Sequence, residues 1–186
     1  MLLLKKDLIV ILLSVFSFSC TTDNDEINSN KLEMLASYNI DVLEPSGLAI
    51  NSAGNVLYTV SDHTAMIYKL STTGNVIQTF NYVGDDLEGI TTFTEKNLLL
   101  VEERSKEVVE FNIPTGTYLK HQVNYENNDS NSGLEGISYK PNDQTIFILN
   151  EKNPGKLIRL NSSFIVEEEF ELNFASDYSG IFYENS

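Results

Sequence analysis

A short motif that ends in glycine recurs four times along the chain, and it constrains the fold more than any other feature. The motif glycines lie 42, 47 and 44 residues apart, at Gly47, Gly89, Gly136 and Gly180. The two central copies share the sequence Leu-Glu-Gly-Ile, at 87–90 and 134–137. An Asn between two apolar or aromatic residues precedes every copy, as in Phe80-Asn81-Tyr82. Two markers in register at this period indicate an internal structural repeat.

The segments between the motifs predict short strands separated by turns. The predicted strands are rich in β-branched and aromatic residues, and Gly, Pro, Asn, Asp and Ser mark the turns. They cover 56–61, 66–70, 76–82, 98–101, 108–113, 117–123, 145–149, 157–160 and 164–172, with a further strand at each motif. Four antiparallel strands in every repeat of this length are typical of a β-propeller blade. The alternative all-β fold, a β-sandwich, rarely repeats with two fixed markers.

The repeat count predicts a partial propeller over residues 34–186. Three complete four-stranded antiparallel blades are expected, with edge strands on both sides. Residues 34–40 resemble the outermost strand of another blade, and the motif at 177–181 is expected to begin a fourth blade. Because propeller rings usually contain about four to eight blades, the sequence predicts a C-terminally truncated ring.

The first twenty residues predict export. Lys5 and Lys6 precede an apolar run over 8–18, and Cys20 follows it directly. This order is typical of a secretory signal peptide, and a cysteine at its end resembles a bacterial lipobox. We therefore expect residues 1–20 to be a signal peptide whose Cys20 is lipidated and becomes the new N-terminus, and the acidic stretch 21–33 to form a flexible tether. The predicted location is the bacterial cell envelope, at the outer membrane or cell surface, with an unlipidated signal peptide as the alternative.

The charge balance excludes one class of partner. The chain carries 27 acidic residues and 12 basic ones, a formal net charge of −15. Nucleic-acid binding needs a basic face, so we expect no nucleic-acid partner. Cys20 is the single cysteine, which excludes a disulfide within the chain.

Acidic residues recur at two places in the repeat. The first is the motif, which contains Glu44, Glu88, Glu135 and Asp177 in its four copies. The second is the end of the next strand, where Asp62, Glu103 and Glu151 occupy matching positions. Because neighbouring strands of a blade are antiparallel, both places lie at the same mouth of the ring. The repeat therefore gathers carboxylates at one end of the propeller axis.

Carboxylates held this close repel one another unless they are protonated or bridged by a cation. Oxygen ligands in flexible loops suit Ca²⁺. We predict a calcium site whose candidate ligands are Glu88, Glu135, Glu103, Glu151 and Asp62. The alternative interpretation is that these acids hydrogen-bond backbone N–H groups at the strand junctions.

The two Leu-Glu-Gly-Ile segments, the related Pro-Ser-Gly-Leu at 45–48 and the exported lipoprotein start resemble the SdiA-regulated family. Its members are cell-envelope propellers of bacteria, distantly similar to NHL-repeat proteins. The resemblance implies a five-bladed propeller with a calcium site. It would place metal ligands among Glu88, Glu135 and the neighbouring acids.

Two functions remain open from the sequence. The favoured one is a non-enzymatic, calcium-binding lipoprotein that binds an unknown protein or small-molecule ligand. The other is a calcium-dependent propeller hydrolase, of the esterase, lactonase or phytase type, in which the metal polarises an ester or phosphate oxygen. The few basic residues near the acidic turns, Arg104, Lys106 and Lys152, give phosphate chemistry little support.

Overall fold

The computed structural model describes residues 33–127, 129 and 132–184. The chain divides into two units, Met1–Ser37 and Tyr38–Ser186. Every strand of the described residues belongs to the second unit, and residues 33–37 of the first contain none. Within the described ranges, no helix is long and apolar enough to span a membrane.

The second unit consists of three four-stranded antiparallel sheets, each formed by consecutive strands. The first sheet contains β1 (Pro45–Ile50), β2 (Val56–Ser61), β3 (Ile67–Ser71) and β4 (Val76–Phe80). The second contains β5 (Leu87–Thr92), β6 (Asn97–Glu102), β7 (Glu107–Asn112) and β8 (Tyr118–Gln122). The third contains β9 (Leu134–Lys140), β10 (Thr145–Asn150), β11 (Gly155–Leu160) and β12 (Val166–Leu172). These sheets are the three predicted blades of a β-propeller, numbered here in chain order.

The blades pack face to face through two apolar layers. Strand β6 shows the principle, because Leu98 and Leu100 lie in the layer between blades 1 and 2, whereas Leu99 and Val101 lie in the layer between blades 2 and 3. Successive side chains of a strand point to opposite faces, so a strand between two neighbours must be apolar on both sides. All four side chains are fully buried.

The motif glycines allow the inner strands of neighbouring blades to approach each other. A Cβ atom at Gly89 would lie 2.6 Å from the carbonyl oxygen of Glu135, on the inner strand of the next blade. A Cβ atom at Gly47 would lie 2.9 Å from the carbonyl oxygen of Glu88. Contacts this short between Cβ and backbone oxygen are repulsive, so a side chain is excluded at these positions. Close backbone packing at the axis therefore explains why the glycine repeats.

The two edge segments differ from the prediction. Residues 33–44 contain no strand, although 34–40 were expected to form one, because no described strand provides a hydrogen-bonding partner. Within this stretch, Ile40 and Val42 pack with Tyr68 and Leu70 of blade 1.

The fourth motif also lacks an assigned strand, since none lies within 173–184. It nevertheless runs beside β9. A Cβ atom at Gly136 would lie 3.3 Å from the Cα atom of Gly180, and the backbone N–H of Tyr183 donates a hydrogen bond to the Ser138 hydroxyl over 2.8 Å. The fourth motif thus continues the arrangement of the three inner strands.

Candidate functional site

Two glutamates of the motif occupy β-bulges at the start of the inner strands. In blade 2 the pairing of β5 with β6 shifts between Leu87 and Gly89, and Glu88 is the extra residue. In blade 3 the pairing of β9 with β10 skips Glu135 in the same way. A bulge bends the strand locally and redirects the side chain of the extra residue. The bulge therefore sets where each carboxylate is placed.

The acids that follow the second strand of each blade are fixed by a repeated backbone contact. The N–H group of each donates to the carbonyl oxygen of the residue three positions before the motif glycine. These bonds join Asp62 to Glu44 over 3.1 Å, Glu103 to Asp86 over 2.9 Å and Glu151 to Gly133 over 3.0 Å. The same bond in three blades brings the second-strand acids to the motif end of the inner strands.

The carboxylates form two groups of three. In each group the candidate ligand oxygens all lie within 4.8 Å of one another. The first group spans blades 1 and 2 and contains Asp62, Asp86 and Glu88. The second spans blades 2 and 3 and contains Glu103, Glu135 and Glu151. We refer to these six residues as the acidic mouth, and all six are partly buried.

Asp86 connects the two groups. When protonated, Asp62 and Glu103 each donate a hydrogen bond to the Asp86 carboxylate, and this bond helps to raise the pKa of both. The side chain of Asp86 is only 11% exposed, so water screens these contacts weakly. The acidic mouth is therefore one electrostatic unit.

Burial and mutual repulsion favour the protonated form of the acids. Desolvation, followed by the charges of Glu88, Glu103 and Glu151, raises the pKa of Glu135 to about 8. Desolvation and the hydrogen bond to Asp86 raise the pKa of Glu103 to about 7. Burial likewise raises the pKa of Glu88. At neutral pH the acidic mouth must hold protons or a cation.

Two basic side chains among the described residues contact these acids. The Nε atom of Arg104 lies 2.8 Å from an Asp86 oxygen, but the Arg104 side chain is 72% exposed. Lys152 forms an ion pair with Glu151. Two bases cannot balance six carboxylates, so negative charge remains for a ligand to neutralise.

The donor set fits Ca²⁺. It offers oxygen only, from carboxylates of several loops, and it is negatively charged; hard cations with six to eight oxygen ligands prefer such sites. Neither described histidine belongs to the acidic mouth: His63 lies 3.8 Å from Glu44, and His121 stacks on Phe164. Bound there, a calcium ion would supply positive charge between neighbouring blades.

All five sequence-predicted ligands lie in the acidic mouth: Glu88, Glu135, Glu103, Glu151 and Asp62. Asp62 and Glu88 belong to the first group, and the other three belong to the second. It adds Asp86, whose motif position, three residues before the glycine, is the one that Glu44 and Asp177 occupy in their repeats. Alignment of the four motifs at this position was the signal for Asp86. Glu44 and Asp177 belong to neither group.

Buried polar residues directly before the second-strand acids support the acidic mouth, and no sequence motif indicated them. Glu102 is fully buried and accepts hydrogen bonds from the Tyr82 hydroxyl over 2.6 Å, the Asp85 N–H over 3.0 Å and the Ser105 hydroxyl over 3.0 Å. It also accepts one from Lys120 over 2.5 Å. Desolvation would raise the pKa of Glu102, but these donors outweigh it and the net pKa is lowered. Glu102 therefore stays charged and fixes the loop that carries Asp86.

Asn150 and Ser61 occupy the same repeat position in the other blades, and both are buried and form hydrogen bonds with neighbouring segments. The Asn150 side chain accepts a hydrogen bond from the Tyr125 hydroxyl over 2.8 Å and donates to the Pro154 carbonyl over 2.8 Å. The Ser61 hydroxyl donates to the Leu43 carbonyl. Three different side chains at one repeat position explain why no sequence pattern revealed this role.

Cys20, the predicted lipidation site, and the predicted signal peptide lie outside the described residues.

The chain belongs to the SdiA-regulated family, whose pattern matches residues 29–180. This assignment confirms the resemblance inferred from the Leu-Glu-Gly-Ile motifs.

Three solved structures have a similar fold at low sequence identity. Virginiamycin B lyase from Staphylococcus aureus, an inactive H270A variant with quinupristin, is 18% identical with a TM-score of 0.57, over 74% of this chain and 45% of the lyase. Hydrazine synthase from Kuenenia stuttgartiensis is 14% identical with a TM-score of 0.55, over 71% of this chain and 38% of the synthase. A protein of unknown function from Bacteroides caccae is 12% identical with a TM-score of 0.57, over 75% of this chain and 54% of that protein. The chain spans about half the length of these structures or less, and the likeness supports the propeller fold alone.

Proposed function

We propose that this member of the SdiA-regulated family is a calcium-binding β-propeller of the bacterial cell envelope that acts as a ligand-binding module. One observation carries the calcium proposal: two groups of three carboxylates, each within 4.8 Å, at neighbouring blade junctions. The raised pKa values of Glu88, Glu103 and Glu135 support it, because carboxylates that resist ionisation gain most from a bridging cation.

The position of the two groups suggests what the cation does. Asp62 follows the second strand of blade 1, whereas Asp86 and Glu88 begin the inner strand of blade 2. Glu103 follows the second strand of blade 2, whereas Glu135 begins the inner strand of blade 3. A cation bound to either group would join two blades. We therefore propose that calcium stabilises the blade junctions and fixes the shape of the acidic mouth.

The test is calcium binding by the full chain. We expect isothermal titration to detect Ca²⁺ binding and the melting temperature to rise when Ca²⁺ is added to chelator-treated protein. The double variant Glu88→Gln/Glu135→Gln should bind Ca²⁺ at least tenfold more weakly. Glu95→Gln, an exposed acid in the β5–β6 turn at the other end of the inner strands, is the matched control and should bind like the wild type.

Two results would contradict the calcium proposal. An unchanged melting temperature with millimolar Ca²⁺ would exclude a stabilising site. Wild-type affinity in the double variant would show that the cation binds elsewhere, and an equal loss in Glu95→Gln would mean that only net charge matters.

We also propose that the protein is exported and anchored to the membrane by a lipid at Cys20. The support is the order of Lys5 and Lys6, the apolar run over 8–18 and the cysteine directly after it. In cells given a labelled fatty acid, the wild type should carry the label in the membrane fraction, and Cys20→Ser should lose both. Equal labelling of the two proteins would contradict the anchor, whereas export without a label would indicate an ordinary signal peptide.

One observation favours the second candidate, a calcium-dependent hydrolase. If a cation occupies the group of Asp62, Asp86 and Glu88, Glu103 lies outside its ligands, and a carboxyl whose pKa is raised by burial suits a general base. Ester, lactone or phosphate turnover that a chelator abolishes would favour the hydrolase over the binding module. Absence of turnover on all three would contradict the hydrolase.

A further inference from the structure

The end of the propeller opposite the acidic mouth contains a large open cavity. It measures about 860 Å³. The β1–β2 turn, the β5–β6 turn, the end of β9 and the segment after the fourth motif surround it, so residues from all four repeats contribute. Pockets that hold drug-sized molecules usually measure about 300–1,000 Å³. The cavity is therefore large enough for such a ligand.

Aromatic rings from every repeat contribute to the wall of the cavity. Five aromatic residues from four repeats line it: Tyr58, Phe93, Tyr139, Phe182 and Tyr183. Phe93 and Tyr139 contact each other edge to face, with ring centroids 4.7 Å apart. Rings fixed in this way offer flat apolar surfaces on which another ring can stack.

Packing between the repeats holds the wall in place. The Thr92 hydroxyl donates a hydrogen bond over 3.3 Å to the carbonyl oxygen of Ile50 in the neighbouring blade. The backbone N–H of Tyr183 donates to the Ser138 hydroxyl, and the Lys140 ammonium lies 5.7 Å from the centre of the Tyr183 ring. These contacts hold the β1, β5 and β9 sides of the cavity in place before a ligand binds, which lowers the entropy cost of binding.

The charge of the wall limits the class of ligand. Among the described residues that line the cavity, Glu95 is the only Asp, Glu, Lys, Arg or His, and it is exposed in its turn. A charged group moved into this wall would lose its hydration without gaining a buried counter-ion. The formal net charge of −15 further disfavours anions.

We propose that this cavity, the aromatic mouth, is a binding site for uncharged small molecules that carry an aromatic ring. The proposal rests on the proposed ligand-binding function and deepens it by naming the site and the ligand class. The ligand would stack on Phe93, Tyr139 and Phe182, and the exposed Ser52 side chain would face its polar atoms at the rim.

The test uses the neutral fluorescent probe N-phenyl-1-naphthylamine with the full chain. We expect a saturable rise in fluorescence that fits one site. Phe182→Ala removes a wall residue that is 78% exposed, and Ser52→Trp fills the rim from an exposed turn, so both variants should fold. Each should weaken probe binding at least tenfold. Leu119→Ala, which removes an equally apolar residue that is 64% exposed on β8, is the control and should bind like the wild type.

The anionic analogue 8-anilinonaphthalene-1-sulfonate tests the ligand class, and we expect it to bind at least tenfold more weakly than the neutral probe. Three outcomes would overturn the proposal: no saturable binding, wild-type binding by Phe182→Ala and Ser52→Trp, or the same loss in Leu119→Ala. Equal affinity for the anionic probe would contradict the uncharged class.

The calcium variant separates this proposal from the calcium site. Glu88→Gln/Glu135→Gln changes the opposite mouth and should keep its affinity for the probe. If it binds neither Ca²⁺ nor the probe, the two mouths are not independent and the proposal is wrong as stated. Loss of Ca²⁺ binding without loss of probe binding in the calcium variant would assign its effect to the acidic mouth. Loss of probe binding without loss of Ca²⁺ binding in Phe182→Ala and Ser52→Trp would assign their effect to the aromatic mouth.

Discussion

Glu88 and Glu135 show how one residue position combines backbone geometry with charge. Each is the extra residue of a bulge directly before a glycine that is packed against its neighbour's backbone. The neighbouring strands leave the carboxylate partly buried beside other acids, which raises its pKa. The acid type could be predicted from the sequence, because it recurs in the motif. The division into two groups could not, since Asp62 and Glu103 each reach the glutamate of the next blade through a contact between blades.

The raised pKa of Glu135 predicts the pH dependence of stability without calcium. Its pKa is about 8 in the folded protein and 4.5 as a free side chain, so the folded state binds more protons than the unfolded state between these values. Stability must therefore fall as the pH rises from about 5 to about 8. Urea denaturation in chelator should show this fall. It should be smaller in Glu135→Gln, which should gain about 1–3 kcal/mol relative to the wild type between pH 5 and pH 9.

Glu95→Gln is the control for that series, because Glu95 lies in the opposite turn, and its profile should match the wild type. Stability that rises over this pH range in chelator would contradict the raised pKa. With saturating Ca²⁺ the fall should disappear, since the cation stabilises the ionised carboxylates.

At the scale of elements, the inner strands β1, β5 and β9 determine both the fold and the site. The motif glycine of one inner strand contacts the backbone of the next, as Gly47 contacts β5 and Gly89 contacts β9. The strands themselves could be predicted from turn residues and β-branched runs, and twelve strands form among the described residues. The lack of an assigned strand at 34–40 and 177–181 could not be predicted. A strand requires a hydrogen-bonding partner, and sequence pattern alone does not show whether one is present.

Gly89→Ala should destabilise the protein by about 1–3 kcal/mol, the usual cost of overpacking a tight contact. The new methyl group would lie 2.6 Å from the Glu135 carbonyl oxygen and 2.7 Å from a Val101 methyl group. Gly180→Ala is a matched control in the same motif, because a Cβ there has no neighbour within 4 Å, and its stability should change by less than about 0.5 kcal/mol. Chemical denaturation measures both; equal effects would contradict the proposed role of close backbone packing.

Across the whole molecule, the two ends of the propeller differ in chemistry. One end carries the six carboxylates of the acidic mouth, and the other carries the aromatic mouth. Antiparallel strands cause this separation, since residues before and after an inner strand lie at opposite ends. A ligand at one end and a cation at the other can therefore bind to the same scaffold without sharing side chains.

Calcium should protect the blade junctions more than the blade edges. Hydrogen exchange of the full chain with and without Ca²⁺ should show slower exchange for the first residues of β5 and β9, by up to about 100-fold at 100 times the dissociation constant. The outer strands β4, β8 and β12, which lie farthest from the inner strands in each sheet, should change little. Uniform protection of all twelve strands would instead indicate that calcium stabilises the molecule only globally.

The sequence by itself determined the repeat, the antiparallel blades and the end of the inner strands at which acids gather. These features depend on local rules, namely turn residues, strand composition and the period of the motif. Only the tertiary structure decided that the carboxylates form two groups joined by Asp86, that Glu102 is buried as a charge beneath them, and that aromatic residues from four repeats meet around one cavity. The physical reason is that these contacts join residues of different strands and, in the carboxylate groups and the cavity, of different blades, so their distances follow from how the strands and blades pack.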